Sequence, residues 1–194
     1  MQEHRHFILH KPGGYLSQFV NKQNKRKNKK LLGALHDFPE GTMAIGRLDE
    51  HSEGLLLLTT DGKVSEQVRS KKVEKEYCVE LDGEITDEAI SQLKKGVEIG
   101  ITGKKYLTLP CKAIRLASTP GLVLTLPPIK RKRHRPSSWL SITIREGKFR
   151  QVRKMTAAVG FPTLRLIRLR IGHIRLHKLA PGEAIEVDHF GLLD

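Results

Sequence analysis

The chain has 194 residues, 38% hydrophobic and 29% charged, with a formal net charge of +14 and a pI near 10.0. That balance fits a folded chain with a real core and excludes a disordered one. The longest apolar run, 54–58, is far too short to cross a bilayer, and the first residues carry no signal-peptide pattern. The two cysteines, Cys78 and Cys111, imply no disulfide framework and fit a reducing cytosol.

A basic excess of this size favours a polyanionic partner, because each phosphate contact releases condensed counterions. A generally basic, solvated surface is the plain alternative. Charge placement favours nucleic acid, because the cations cluster. The run 22–30 holds Lys25, Arg26, Lys27, Lys29 and Lys30, and 130–135 holds Lys130, Arg131 and Arg133, whereas 74–98 is rich in acids. The basic runs lack the interleaved large apolar residues of a membrane anchor. Aromatic residues are only 5%, so a sheet-type stacking platform for bases is not expected.

In chain order, 7–10 reads as a short strand, ended by a turn at 11–14. The run 22–30 reads as a flexible loop and 31–36 as a short helix. Strands follow at 43–45 and 55–59, then a turn at Asp61-Gly62 and a helix faced by Val64 and Val68. The segment 77–81 alternates as a strand does. Thr86 is an N-cap for a helix with Ala89, Ile90 and Leu93 on one side. Short strands are expected at 97–101, 106–109, 111–116 and 121–126. A cleanly alternating strand at 140–144 leads, through Glu146-Gly147, into a helix. Val152, Met155 and Val159 form its apolar stripe, and Gly160 its C-cap. Closing strands lie at 164–171 and 184–187. Many short strands with about four helices favour α+β with a mostly antiparallel mixed sheet and flanking helices.

Chemistry concentrates in 45–54, a polar segment between two apolar strands, where reactive groups are well held. Asp49 beside Arg47 suggests a carboxylate kept ionised by positive charge, hence a nucleophile or base. From spacing alone, a surface turn with an incidental ion pair accounts for it equally well. The histidine pairs 4/6 and 173/177 lack a third ligand at zinc-type spacing, so no metal is expected.

The sequence Gly46-Arg47-Leu48-Asp49, followed by Ser52-Glu53-Gly54, the leucine run and Asp61-Gly62, resembles the signature of the RsuA-type pseudouridine synthases. Lys11-Pro12 resembles that family's N-terminal motif, Lys75-Glu76-Tyr77 its second, and Glu146 to Met155 its third. Leu166-Ile167-Arg168 and Ile171-Gly172 resemble its closing segment. The four motifs occur in the family's order.

The resemblance implies a pseudouridine synthase fold over 6–190, two subdomains sharing one sheet with an active-site cleft between them. It implies isomerisation of a uridine in ribosomal RNA, without metal or cofactor; a cytoplasmic monomer is expected. The target base must be flipped out of its stack. Many members carry an N-terminal RNA-binding module of the ribosomal-protein S4 type. No separate module is expected here, as in the subgroup acting on large-subunit ribosomal RNA, either free or in an assembly intermediate. By the same resemblance Asp49 is the catalytic residue, attacking covalently or assisting a glycal. Arg47 holds the flipped nucleotide, Tyr77 packs on the uracil and Lys148 pairs with the aspartate. Lys11, the two basic runs and Arg150, Arg153 and Lys154 are expected to contact RNA, the last three from one side of a helix. A non-catalytic RNA-binding or assembly factor would need only the basic loops, not the set Asp49, Arg47, Tyr77 and Lys148. A DNA-binding regulator lacks a helix-turn-helix pattern.

Overall fold

The structure is a computed structural model that describes residues 4–20, 28–70, 73–124, 126, 136–176 and 178–192. In chain order its elements are β1 (His6–Lys11), β2 (Tyr15–Leu16), β3 (Lys30–Leu31), a 3-10 turn (Leu32–Ala34), β4 (Met43–Ala44), β5 (Glu53–Thr59) and α1 (Gly62–Ser70). There follow β6 (Lys75–Asp82), α2 (Asp87–Lys95), β7 (Glu98–Ile101), β8 (Lys104–Leu107), β9 (Lys112–Leu116) and α3 (Gly121–Leu124). The last are β10 (Ser137–Ile144), α4 (Gln151–Ala158), β11 (Thr163–Ile171), β12 (Ile174–Arg175) and β13 (Ala184–Val187). The chain forms two compact units, one of Met1–Val73 with Arg168–Asp194, the other of Glu74–Ile167.

In the first unit β1 pairs antiparallel with β13 on one side and β5 on the other, and β4 adds to β5. Every position of β1 and β5 is buried. That explains the unbroken leucine run: a strand covered on both faces needs no polar alternation. Phe7, Leu9, Leu32, Leu56 and Leu58 form one core cluster, and Phe38 meets Phe7 and Phe19 edge-on at 5.3 and 5.4 Å.

Gly54 opposes Lys11 across the β1–β5 ladder and has φ +103. A Cβ there would lie 2.3 Å from the Arg168 carbonyl oxygen. Only glycine lets the Arg168 end of β11 come this close to β5.

In the second unit β10 lies between β6 and β9, antiparallel to both, and β7 and β8 form a hairpin. The Thr86 hydroxyl accepts the Ala89 N–H at 3.2 Å, and Ala89, Ile90 and Leu93 are buried, as the cap and stripe predicted. Val152 and Met155 are buried beneath α4, and Gly160, with φ +92, closes its end through an N–H to the Ala157 carbonyl.

Several expectations change. The stretch 121–126 is not a strand: Gly121–Leu124 is helical, opened by Pro120, whose carbonyl accepts the Val123 N–H at 2.9 Å. A short apolar run fits either period, and the preceding proline favours the helical one. The helix expected at 31–36 shrinks to the 3-10 turn, because Lys30–Leu31 is drawn into a parallel pair with β2. Cys111 precedes β9 rather than lying in it; its thiol donates to the Leu93 carbonyl at 3.1 Å.

Candidate active site

The loop 45–52 hangs between β4 and β5. Its entry is fixed by the Ile45 N–H on the Leu57 carbonyl at 2.8 Å and by Gly46, whose φ of +72 turns the chain. Ile45 and Leu48 are buried, whereas Arg47 between them is exposed. Asp49 is half-buried, in a turn closed by the Ser52 N–H on its carbonyl at 3.0 Å.

Four groups grip this turn from outside it. Ser17, buried, donates its hydroxyl to the Leu48 carbonyl at 2.7 Å and accepts the Leu48 N–H at 3.0 Å. The Gly14 N–H donates to the Glu50 carbonyl at 2.7 Å. Lys11 donates its ammonium to the carbonyls of Ser52, Pro12 and Glu50 at 2.7, 2.9 and 3.2 Å. Lys29 pairs with the Glu50 carboxylate at 2.6 Å. Main-chain atoms on both sides of Asp49 are thus held, which fixes its Cα without using its carboxylate.

Lys11 therefore departs from its expected role. Its side chain is 0% exposed, so it meets carbonyls of the loop rather than an RNA phosphate. Burial pushes its ammonium down from 10.5 to about 8, against the opposing pull of Glu53, Asp49 and Glu50. Arg168, also buried, donates Nε to the Leu55 carbonyl at 2.7 Å, and its charge lowers Lys11 further. Lys29 and Lys30 are engaged as well, Lys29 with Glu50 and Lys30 over the Tyr15 ring at 5.5 Å. Lys25, Arg26, Lys27, Lys130, Arg131 and Arg133 lie outside the described residues.

The remaining expected residues belong to the second unit. Tyr77 is buried in β6, opposite Ile142. Lys148 is exposed, three residues before α4, with its ammonium 4.9 Å from the Tyr106 ring centroid. Its neighbouring carboxylate within the unit is Glu146. Burial alone would raise the Glu146 carboxyl, but hydrogen bonds from Tyr106, the Leu109 N–H and Gln151, with the charge of Lys148, hold it below its ordinary value.

Arg150, Arg153 and Lys154 do not form one open row. Arg150 is the exposed N-cap of α4, with φ +53. Arg153 is half-buried and reaches the Thr163 carbonyl at 3.5 Å. Lys154 donates to the Gly100 carbonyl at 2.6 Å. The thiols of Cys78 and Cys111 are pushed up by burial to about 12 and about 11, so neither is an activated nucleophile. Among the described residues no three His, Cys, Asp or Glu side chains are grouped to hold a metal ion, and no helix is long and apolar enough to cross a membrane.

Sequence reasoning missed Ser17 as a support of the loop and Arg168 as a buried tie to β5. Ser17 lies 31 residues from its partner, and no spacing signals it. Arg168 lies in the family-like closing segment, but its burial goes with the close approach to β5 that Gly54 permits. Ser17→Ala leaves the buried Leu48 N–H and carbonyl without their partner, which costs about 1–3 kcal/mol. Activity per folded molecule is expected to fall about tenfold as the turn loosens. Denaturant midpoints and single-turnover rates check this, and Ser17→Thr is expected to restore most of both.

The model of the RNA pseudouridylate synthase family matches residues 5–158. A protein of Xanthomonas axonopodis pv. citri called ribosomal large subunit pseudouridine synthase E is 40% identical over 176 residues, covering 90% of this chain and 89% of that one. One of the same name from Vibrio parahaemolyticus is 38% identical over 189 residues, covering 96% of this chain and 75% of its own. Among solved structures, a crystal structure of pseudouridylate synthase superposes with a TM-score of 0.75 at 26% identity, covering 96% of this chain and 71% of that one.

Proposed function

Because the chain belongs to the RNA pseudouridylate synthase family, we propose that it converts a uridine of large-subunit ribosomal RNA to pseudouridine, with Asp49 as the catalytic carboxylate. Residues 6–190 act as one catalytic domain, as a monomer in the cytoplasm. The substrate follows from the relatives' names.

The reaction breaks the C1′–N1 bond, turns the base and joins C1′ to C5. The C5 proton leaves and N1 regains one, so no electrons are gained or lost overall. The chemistry asks for an ionised carboxylate held still at the sugar of an unstacked nucleotide. Whether Asp49 bonds C1′ or assists a glycal, both demands are the same. The observation that carries the reading is the grip on the Asp49 turn. Ser17, Gly14, Lys11 and Lys29 hold the main chain on either side and the neighbouring Glu50. Arg47, exposed beside it, is the residue for the flipped nucleotide, Tyr77 the one for the uracil, and Lys148 the family's basic residue.

Pseudouridine mapping of ribosomal RNA from cells with and without the gene tests the substrate. Loss of one large-subunit site is expected; an unchanged map would remove this RNA as the substrate. A separate measurement addresses the basic run. Neutralising Lys25, Arg26, Lys27, Lys29 and Lys30 is expected to flatten the slope of log affinity against log salt by about 3, at about 0.7–0.9 per phosphate contact. Lys29 contributes least, since it already faces Glu50.

A further inference from the structure

We propose that Phe149 is the seat of an unpaired RNA base other than the reacting uridine, stacked on its ring within a fixed cluster of lysines. The inference rests on the RNA reading above and adds to it a second point of base contact. Phe149 is 68% exposed, two residues before α4. The Lys154 ammonium lies 5.2 Å from the ring centroid and is held by the Gly100 carbonyl at 2.6 Å. One face of the ring thus carries a cation that is itself anchored, while most of the residue stays open to water.

The ground around it is equally fixed. Lys148 sits over Tyr106, whose hydroxyl donates to Glu146. Glu146 also accepts from the Leu109 N–H at 2.9 Å and from Gln151 Nε2 at 2.7 Å, tying the β7–β8 hairpin to the start of α4. Arg150, the residue after Phe149, is exposed, and the acids Glu98 and Glu146 are taken up by Lys105 and by the hydrogen bonds above. A rigid ring amid positive charge suits a base with its phosphate: the ring offers a π face to any base, and the cations meet the backbone. An apolar protein partner would use the exposed Leu107 and Leu109 but gains nothing from lysines seated on both rings. The low aromatic content argued against a stacking sheet; it does not argue against one ring placed this way.

The test measures binding of the full chain to a uridine 12-mer and to an abasic 12-mer of the same backbone, by fluorescence anisotropy across a salt series. Phe149→Ala is expected to weaken the uridine 12-mer about tenfold. The abasic 12-mer and the salt slope of both stay unchanged, and Phe149→Trp retains binding. Equal weakening of both probes, or none, overturns the seat while leaving the RNA reading intact. Unchanged RNA binding together with loss of a protein complex on gel filtration assigns the surface to a protein partner instead. Wild-type protein that binds neither probe nor a large-subunit RNA transcript overturns the RNA reading itself.

Discussion

Asp49→Asn is expected to reduce tritium release from RNA labelled at uridine C5 by at least about a thousandfold, with the fold intact. The substitution keeps the shape of the side chain and removes its charge, so a step that needs an anion at the sugar loses the group that supplies it. The main-chain ties of the loop stay in place. Ser17, Gly14 and Lys11 hold the loop through main-chain atoms of Leu48, Glu50 and Ser52, and none of those bonds uses the Asp49 carboxylate. The variant gives up the pull of the Asp49 charge on the buried Lys11 ammonium, so a modest loss of about 1 kcal/mol is expected rather than unfolding. Equal release by both proteins would take Asp49 out of the chemistry, and a large loss of stability would mean that its carboxylate serves the fold.

Many elements of both units were legible because they depend on local signals. The Thr86 cap, the Ala89-Ile90-Leu93 stripe and the closing Gly160 need only neighbours in sequence. The leucine run announced a strand, and its unbroken apolar character fits burial on both faces. What stayed hidden depends on partners far along the chain. Lys11, before Pro12-Gly13-Gly14, reads as a cation at a surface turn, yet it ends a fully buried strand and meets acceptors 39 and 41 residues away. The six-residue pattern of β1, with histidine and lysine at the end of an apolar run, contained a clue: a lysine continuing a buried strand needs oxygen acceptors at the strand's end. Lys29 looked like one more charge in a basic run and turned out to face Glu50. In both cases the type of residue was read correctly, and only the fold could say which anion or dipole it meets.

Lys11→Met carries the second large expected effect, and its sign depends on pH. At pH 7 the lysine is charged in both folded and unfolded chains, and three carbonyls, two of them in the loop, depend on it. Methionine fills similar volume but leaves the buried Ser52 oxygen and the two part-buried ones without this donor, and relief of the buried charge offsets only part of that loss. A net destabilisation of about 2–4 kcal/mol is expected at pH 7, with activity falling further because the Asp49 turn loses an anchor. Above pH 8 the balance shifts. The folded chain releases the Lys11 proton near 8, while the unfolded chain keeps it to about 10.5. Between those values the unfolded state binds more protons, so stability from this group rises with pH. It is fully present above 10.5 and lost as pH falls through 8, and the depression is worth up to about 3 kcal/mol. The methionine variant has no such titration. The gap in unfolding free energy between the two proteins is therefore expected to widen from pH 8 to 10.5, a comparison in which all other titrating groups cancel. Urea denaturation of both at pH 7 and pH 10 measures it. A constant gap would mean that Lys11 titrates as an exposed lysine does, and that the ammonium is not the buried tie holding the Asp49 loop.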